Sequence, residues 1–469
     1  MKKALLSVSL LGNLFFLMPL ALIAQEAEPT NRQVERERES NTISFGRPTH
    51  FRPYDQRGVN MFETLKTDDT SAFTGLKVSI GAGFTQQFQN LKHDNPGATA
   101  NTTTNRLYPL SSGFMTAQAN LFTDVQLGRG IRLNLTTYLS SRHHNEAWVK
   151  GGYIQFDKLP FRGQLFEDIM SVTTIRIGHY EINYGDAHYR RPDGGHTLQS
   201  PFMEGNIMDA FTTEIGGDIF VQKNGFFGML GLTNGMIKGH VDVVDPATVA
   251  DQNTKRNPSV ILKAGYDNQI SEKFRFRLSG SWYGNSNAAG SGLTLYGGDR
   301  TGSNYQNVME RAPAGATLPA STSIFASGRF NPGFGRSISA FMINSFVRAA
   351  GFEFFGTYES AKGKGRTEIL DRKADQFAVE GLYRFGADEK LYVGARYNEV
   401  KATPASTAAI AYTNPVKITR AAFAAGWFIT RNLLLKAEYV IQKYKDFPAA
   451  DFRADGRFDG YVIEAAIGF

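Results

Sequence analysis

The residues with the clearest chemical potential in this sequence lie between positions 179 and 196, where histidines alternate with aspartates: His179, Asp186, His188, Asp193 and His196. Imidazole and carboxylate groups bind metals, but a tight site needs them at short spacings on a rigid element. The spacing here matches no metal-binding motif. We therefore expect no metal and no cofactor.

A second candidate is Ser140 and Ser141 beside His143 and His144, because a serine next to a histidine can act as a nucleophile with its base. Adjacent histidines on a strand point to opposite faces, so at most one of the two could serve. The sequence contains no GxSxG or HExxH motif. An enzyme thus remains an alternative, and the main expectation is a protein without catalytic activity.

The basic run KGKGR at 362–366 also lacks the spacing of a phosphate-binding P-loop and is typical of an exposed loop tip.

The stretch KFRFRLSGSWYG, residues 273–284, shows which elements must position these groups. Phe274, Phe276 and Leu278 share one parity, and Arg275 and Arg277 share the other. Alternation of this kind predicts a β-strand with two unlike faces. A half-buried strand of a soluble sheet would give the same pattern, so the rest of the chain must decide.

The beginning of the chain has the pattern of a secretory signal peptide. Lys2 and Lys3 precede an apolar run, and the small residue Ala24 follows it. We predict a leader over residues 1–24, with cleavage before Gln25; a permanent N-terminal anchor is the alternative.

Composition narrows the class further. The net charge of +7 is too mild to indicate nucleic-acid binding, and the absence of cysteine excludes disulfides and thiolate chemistry. After the leader no apolar run of about 18 residues occurs, so helical membrane spans are not expected. A closed β-barrel can still cross a membrane, because only half of its strand residues must be apolar.

Residues 25–71 form a different kind of segment. NRQVERERES alternates charges without an apolar stripe, which is typical of a solvated tether. FGRPTHFRPYDQRG follows, and its prolines and aromatic residues predict an irregular segment that packs against the end of the next unit. We interpret 25–71 as a periplasmic N-terminal extension and 72–469 as the barrel.

From residue 72 onward, alternating segments recur with short and long connections in turn, which predicts many strands and no helices. Short turns are predicted at 128–130, 223–225, 271–273, 348–351, 386–389 and 430–432, and long loops at 92–111, 182–210, 238–258, 286–337, 361–371, 402–415 and 447–456. The pattern predicts an all-β transmembrane antiparallel barrel of about 16 strands, with short periplasmic turns and long extracellular loops. The C-terminal Phe469 lies on the apolar parity of its strand, as in barrels that insert into the outer membrane.

Charged residues on the polar parity should face the lumen, because an arginine on the lipid face at mid-depth would cost about 2 to 4 kcal/mol. A barrel of this size leaves room for a water-filled channel. The predicted inward cations are Lys77, Arg132, Arg176, Lys263, Arg275, Arg277, Arg396 and Lys436. The predicted inward acids are Asp124, Glu214, Asp218, Glu380, Glu438 and Glu464, and this near balance of sign favours weak selectivity.

Two longer segments carry a family resemblance. IRIGHYEINYGDAHYRRPDGGHTLQSPFMEGNIMDAF, residues 175–211, resembles a strand and loop of bacterial outer-membrane porins related to the phosphate-selective family, and SFVRAAGFEFFGTYESAKGKGR, residues 345–366, resembles a later hairpin of that group. The resemblance implies a homotrimer whose third long loop, here 182–210, folds inward and narrows the pore. It does not extend to individual phosphate-selective residues.

On this interpretation the third loop would carry a cationic constriction that favours anions. The candidates are Arg190, Arg191, His188 and His196, opposed by Asp186, Asp193 and Glu204. The alternative is a solvated surface loop.

The sequence therefore predicts an outer-membrane porin that passes small hydrophilic solutes, with an anion or phosphate preference left open. The expected partners are outer-membrane lipid, lipopolysaccharide (which the 362–366 tip would contact), small polar or anionic solutes and further copies of the chain, but no nucleic acid. Two alternatives remain: a barrel-embedded enzyme, and a surface adhesion or receptor barrel with a blocked lumen.

Overall fold

The computed structural model describes residues 42–45, 51–64, 66, 73–99, 105–115, 117–139, 147–161, 163–192, 196–235, 256–289, 292–312 and 324–469. The predicted leader, the charged tether, the Ser140 to His144 group and Asp193 lie outside these residues. Among the described residues, no helix has the length and apolar character that a membrane crossing requires.

The described chain forms a closed antiparallel barrel of 16 strands, which confirms the predicted fold. The strands are β1 (Lys77–Asp94), β2 (Gln118–Gly128), β3 (Ile131–Leu139), β4 (Ala147–Phe156), β5 (Thr173–Glu181), β6 (Thr213–Lys223), β7 (Phe226–Thr233), β8 (Ser259–Ser271), β9 (Phe274–Asn285), β10 (Ser337–Ala349), β11 (Phe352–Lys364), β12 (Arg372–Phe385), β13 (Leu391–Ala402), β14 (Val416–Thr430), β15 (Leu433–Lys445) and β16 (Arg457–Gly468).

Closure comes from the pairing of the last strand with the first, from Arg457 opposite Asp94 to Gly468 opposite Gly83. Every strand thus has two neighbours, and no edge exposes unpaired backbone groups to hydrocarbon. Two short strands lie beside the barrel strands: Thr42–Phe45 pairs in parallel with the start of β1, and Gly113–Phe114 pairs with its middle.

The two faces of the wall differ as the alternation predicts. On β9 the side chains of Phe274 and Leu278 are 37% and 46% exposed, whereas Arg277 is 1% exposed. The exposed face carries large apolar residues on strand after strand around the barrel. An apolar outer face on a closed barrel is what a lipid bilayer requires, and it places this protein in the bacterial outer membrane.

The connections alternate in length as predicted. At one rim, tight turns use residues with positive φ, such as Asn224 and Gly225 (φ 54° and 83°) and Ala350 and Gly351 (φ 48° and 94°), which match the twist of hairpin strands. At the other rim lie the long loops, including the third loop (182–212, between β5 and β6) and the fifth loop (286–336, between β9 and β10).

The expectation of no helices is wrong at one joint. Between β4 and β5 the run QLFEDIM forms α1 (Gln164–Met170). The joint is longer than a hairpin turn, and Phe166 and Met170 are four residues apart, on one face of a helical turn. Met170 is 4% exposed, so local packing of this face stabilises a short helix at the short-turn rim.

The core of the molecule lies inside the barrel. The third loop, the fifth loop and an N-terminal segment (residues 51–64 and 66) occupy much of the lumen. Phe202 and Ile207 of the third loop and Tyr305 and Val308 of the fifth loop are each 0% exposed. The upper inner wall is correspondingly apolar where it meets these loops, for example at Val440.

Candidate functional site

A cavity of about 230 Å³ remains between the inner wall and the inserted segments. It lies on one side of the barrel, where β2 to β6 form the wall, and the N-terminal segment and the third loop form the opposite side. Asn120, Asn134, Thr136 and Gln155 line it from the wall. The cavity is therefore mostly polar on the barrel side, where the strand parity directs the amides inward.

Two of the cations that border this cavity are paired with carboxylates. Arg176 of β5 donates to Asp218 of β6 through Nε (3.1 Å) and Nη2 (2.7 Å). Its guanidinium also lies over the ring of Tyr180, 4.8 Å from the ring centroid. Lys150 of β4 pairs with Asp299 of the fifth loop. These carboxylates reduce the field of both cations in the cavity, whereas Arg52, which also lines it, donates to the carbonyl group of Gly58 (2.8 Å).

The third loop is fixed to the wall by a buried ion cluster. Asp186 accepts from Arg277 Nη2 of β9 and Lys263 Nζ of β8, both at 2.7 Å from Oδ1. Glu63 of the N-terminal segment lies on the same two cations, 2.7 Å from Arg277 and 3.0 Å from Lys263. Two acids and two bases therefore join the wall, the third loop and the N-terminal segment at one point.

The pKa values of the two acids reflect this arrangement. Burial alone would raise the pKa of Asp186, but Arg277 and Lys263 outweigh burial and hold the pKa well below its usual range. The same balance lowers the pKa of Glu63 to about 2. Both carboxylates are thus ionised at neutral pH, and the cluster is compensated.

Two of the predicted constriction residues, His188 and His196, line the main cavity. Burial, with the nearby Lys263, lowers the pKa of His188 well below the usual histidine value, so this imidazole is neutral at pH 7. Its Nε2 lies 2.9 Å from Asn183 Oδ1. His196 stacks on Phe122 at 5.6 Å between ring centroids. His188 thus contributes polarity, not charge, at neutral pH.

The other two, Arg190 and Arg191, lie at a second, smaller cavity of about 20 Å³. Arg190 is 3% exposed and donates to Glu380 Oε2 (3.1 Å) and to Asn60 Oδ1 (2.5 Å). Arg191 pairs with Asp209 and lies over the ring of Phe211 at 4.3 Å. His188 lines this smaller cavity as well, so the fold brings His188 together with the two arginines and leaves His196 at the main cavity alone. A constriction role for all four stays a prediction.

The wall cations point inward, but their surroundings differ from the expected open water. Arg132 pairs with Asp157 (2.6 Å), Lys436 pairs with Glu464 (2.9 Å), and Arg275 pairs with Asp267 (2.7 Å). Lys436 also donates to the carbonyl groups of Thr197, Ser200 and Phe202 in the third loop, and Arg396 pairs with Glu380 and donates to the carbonyl of Gly205. Lys77 is half-buried on the inner face. Backbone carbonyl groups of the inserted third loop take the place of the water that was expected around these cations. The alternation of residues along a strand does not reveal such partners.

The inward acids hold the inserted segments as well. Glu438 accepts from the Tyr305 hydroxyl and from the Met203 amide (2.9 Å), so one wall carboxylate fixes both loops. Asp124 accepts from Tyr54 of the N-terminal segment at 2.9 Å. Glu214 accepts from the hydroxyl of Tyr283 at 2.6 Å.

Sequence reasoning missed two contributors. Arg420 of β14 is 1% exposed and donates to the carbonyl groups of Gly205 (2.8 Å) and Gly328 (2.7 Å). Ile418 and Ala422 lie on the same face of β14 as Arg420. Because these neighbours are apolar, the sequence does not identify this face as the inner, polar one. Asn60 and Glu63 belong to the 25–71 extension, which was predicted to lie in the periplasm, whereas their side chains bind residues of the lumen wall.

No family model matches the chain, and no curated protein matches it. Among solved structures it is similar to an anion-selective porin from Comamonas acidovorans (10% identity, 84% of this chain, 100% of that chain, TM-score 0.49). It is also similar to the outer-membrane channel DcaP of Acinetobacter baumannii (9%, 85% and 99%, TM-score 0.47) and to OmpT of Vibrio cholerae (9%, 84% and 98%, TM-score 0.45). These similarities are low, and the fold assignment rests on the strand register and on the exposed apolar face.

Proposed function

We propose that the protein is an outer-membrane porin, a passive channel for small hydrophilic solutes. The supporting observation is the cavity between the β2 to β6 wall and the third loop, which the wall lines with amide and hydroxyl side chains, inside a barrel whose outer face suits lipid. Side chains alone fill barrels of about 8 strands, whereas 16 strands enclose space for a path. A loop folded into that space narrows the path sterically.

The size of the cavity sets what can pass. A volume of about 230 Å³ corresponds to roughly eight waters, since each water occupies about 30 Å³ of liquid volume. Small hydrated ions fit such a space more readily than sugars. We infer that larger solutes pass when the N-terminal segment moves away from the wall.

We infer weak charge selectivity. Arg176, Lys150, Lys263 and Arg277 are matched by Asp218, Asp299, Asp186 and Glu63, and His188 is neutral at pH 7. This balance favours general diffusion over a dedicated phosphate path. A modest anion preference would have to come from the residual field of Arg190 and Arg191.

We also propose a homotrimer. On β2 and β3 the outward side chains are uncharged, and they include Leu121, Leu127, Leu133 and Leu135. An apolar sector without charge suits either lipid or another copy of the chain, and chemical cross-linking in native membranes distinguishes these.

One observation favours a second candidate, a barrel with a blocked lumen that acts as a surface receptor. The third loop, the fifth loop and the N-terminal segment together fill much of the interior through buried hydrogen bonds. Planar-bilayer recording and liposome swelling separate the two functions. A porin gives discrete conductance steps and admits small polar solutes, whereas a blocked barrel leaves the bilayer silent and the liposomes unswollen.

A further inference from the structure

A row of basic side chains lies on the outer face of the barrel, at the rim that carries the long loops. It runs over β11 to β16 and onto β1. Its members point away from the lumen, and all are exposed except Lys417, whose side chain is 37% exposed. We call this row the basic band: Lys362, Lys373, Lys401, Lys417, Lys443, Lys445, Arg457 and Lys92.

The strand register sets cations of this band directly opposite one another. Lys362 faces Lys373, and Lys443 faces Arg457. Lys417 faces Lys401 on one side and Lys445 on the other. Like charges directly opposite on neighbouring strands repel and destabilise the pairing. An anion from outside the chain that lies against these four pairs would reduce the repulsion.

The carboxylates of this face neutralise only part of the band. Lys362 pairs with Asp371 (3.7 Å), Lys373 with Asp375 (2.9 Å), Lys417 with Glu399 (2.8 Å) and Arg457 with Asp94 (3.1 Å). Within the part of the chain that the structure describes, Lys401, Lys443 and Lys445 have no carboxylate at ion-pair distance. These three form the centre of the uncompensated charge.

Exposed aromatic residues give the depth of the band in the membrane. Four residues from a band cation, on the same strand and the same face, lie Tyr358, Phe377, Tyr397, Tyr439 and Tyr461, each between 40% and 46% exposed. Such an aromatic girdle marks the interface between hydrocarbon and headgroups. Four residues span about 13 Å along a strand, so the cations lie beyond the girdle, among the headgroups.

The remainder of the wall differs. On β2 to β10, the described outward-facing residues in the half next to the long loops include no lysine or arginine. The cations are therefore confined to one sector and are not a general property of the rim. A localised, flexible set of ammonium groups at headgroup depth suits phosphate esters.

We propose that the basic band docks the phosphorylated headgroup of the glycolipid of the outer leaflet, the lipid A part of lipopolysaccharide. Lysine side chains extend along the surface and place their ammonium groups against the phosphates. The bound phosphates offset the repulsion between the opposed cations. The proposal depends on the position of the barrel in the outer membrane and not on whether the lumen conducts.

The test uses the full-length protein in detergent micelles and the variant K401Q/K443Q/K445Q, which removes the three unpaired lysines. The matched control, K158Q/K223Q/K273Q, removes three exposed lysines at the opposite rim. Binding of fluorescent lipid A and its effect on the thermal midpoint are measured, with dephosphorylated lipid A and inorganic phosphate as further ligands. Heat-modifiable migration on gels verifies that each variant is folded. If the triple band variant does not fold, the single variant K443Q is used in its place.

We expect lipid A to bind the wild type and the control equally, and to bind the band variant at least tenfold more weakly, or K443Q about threefold more weakly. Dephosphorylated lipid A should bind poorly to all three. Wild-type affinity in the band variant, or equal binding of dephosphorylated lipid A, would overturn the proposal. Displacement of lipid A by low concentrations of inorganic phosphate would also overturn it, because the site would then recognise free phosphate. Bilayer conductance of the same samples reports separately on the channel.

Discussion

Asp186 of the third loop and Arg277 of β9 form a two-bonded ion pair inside the barrel, with Nε to Oδ2 at 2.8 Å and Nη2 to Oδ1 at 2.7 Å. Both side chains are 1% exposed. The pair determines where the third loop lies, because Lys263 and Glu63 join the same cluster from the wall and from the N-terminal segment.

The substitution Asp186→Asn should destabilise the protein and widen the path. It leaves Glu63 and Asp267 as the carboxylate partners of Arg277 and Lys263, and removal of one member of a buried pair costs about 3 to 5 kcal/mol. The free energy of unfolding in urea and the single-channel conductance measure both effects. Asp388→Asn, which removes an exposed carboxylate at a short turn, is the control and should change neither.

Acid should loosen the same cluster only at low pH. The folded-state pKa values of Glu63 and Asp186 lie below their unfolded values, so their stabilisation is complete above about pH 4 and falls as pH drops toward about 2. Thermal midpoints of the wild type should therefore be steady from pH 7 to 5 and fall below pH 4. In Glu63→Gln that fall should be smaller; an equal fall in both proteins would exclude Glu63 as a contributor.

Deletion of residues 51–66 should enlarge the path. The segment borders the main cavity and binds the wall through Tyr54, Asn60 and Glu63. Liposome swelling should then proceed faster with sugars than it does for the wild type. Deletion of residues 25–40 alone, which leaves the segment in place, should have no such effect. Equal swelling rates in all three proteins would show that the segment does not limit passage.

The double substitution Arg190→Ala with Arg191→Ala should alter the reversal potential in a salt gradient only slightly. Each guanidinium pairs with a carboxylate, Glu380 or Asp209. These acids keep Arg396 and Arg329 as partners after the substitution, so little charge is left uncompensated. Current noise should increase, because the third loop loses two attachments. A complete loss of anion preference would instead place both arginines at the constriction.

The barrel is the part that sequence predicts well. The alternation of Phe274, Leu278 and Arg277 follows from the two solvents that meet at the wall, and it can be recognised in a single strand. Tight turns such as Asn224 and Gly225 are equally local. The helix at Gln164–Met170 was not predicted, because a few apolar residues without clear alternation are compatible with both a strand and a helix.

The contents of the lumen are the part that sequence could not predict. Parity shows that Arg277 and Lys436 point inward, but not what they meet there. Their partners are far away along the chain, as with Asp186 for Arg277 and Thr197 for Lys436. The apolar inner parity around Arg420 shows the same limit, since a buried loop makes part of the lumen wall resemble a protein core.

The most direct test of a water-filled path uses thiol modification, because the natural chain contains no cysteine. Thr136 lines the main cavity, and its neighbour Leu135 is 41% exposed on the outer face. Single-channel current is recorded for Thr136→Cys and Leu135→Cys before and after a charged, water-soluble methanethiosulfonate reagent. The proposed path predicts that the current falls in Thr136→Cys and is unchanged in Leu135→Cys. An absence of conductance, or a current unaffected by modification at residue 136, would contradict it.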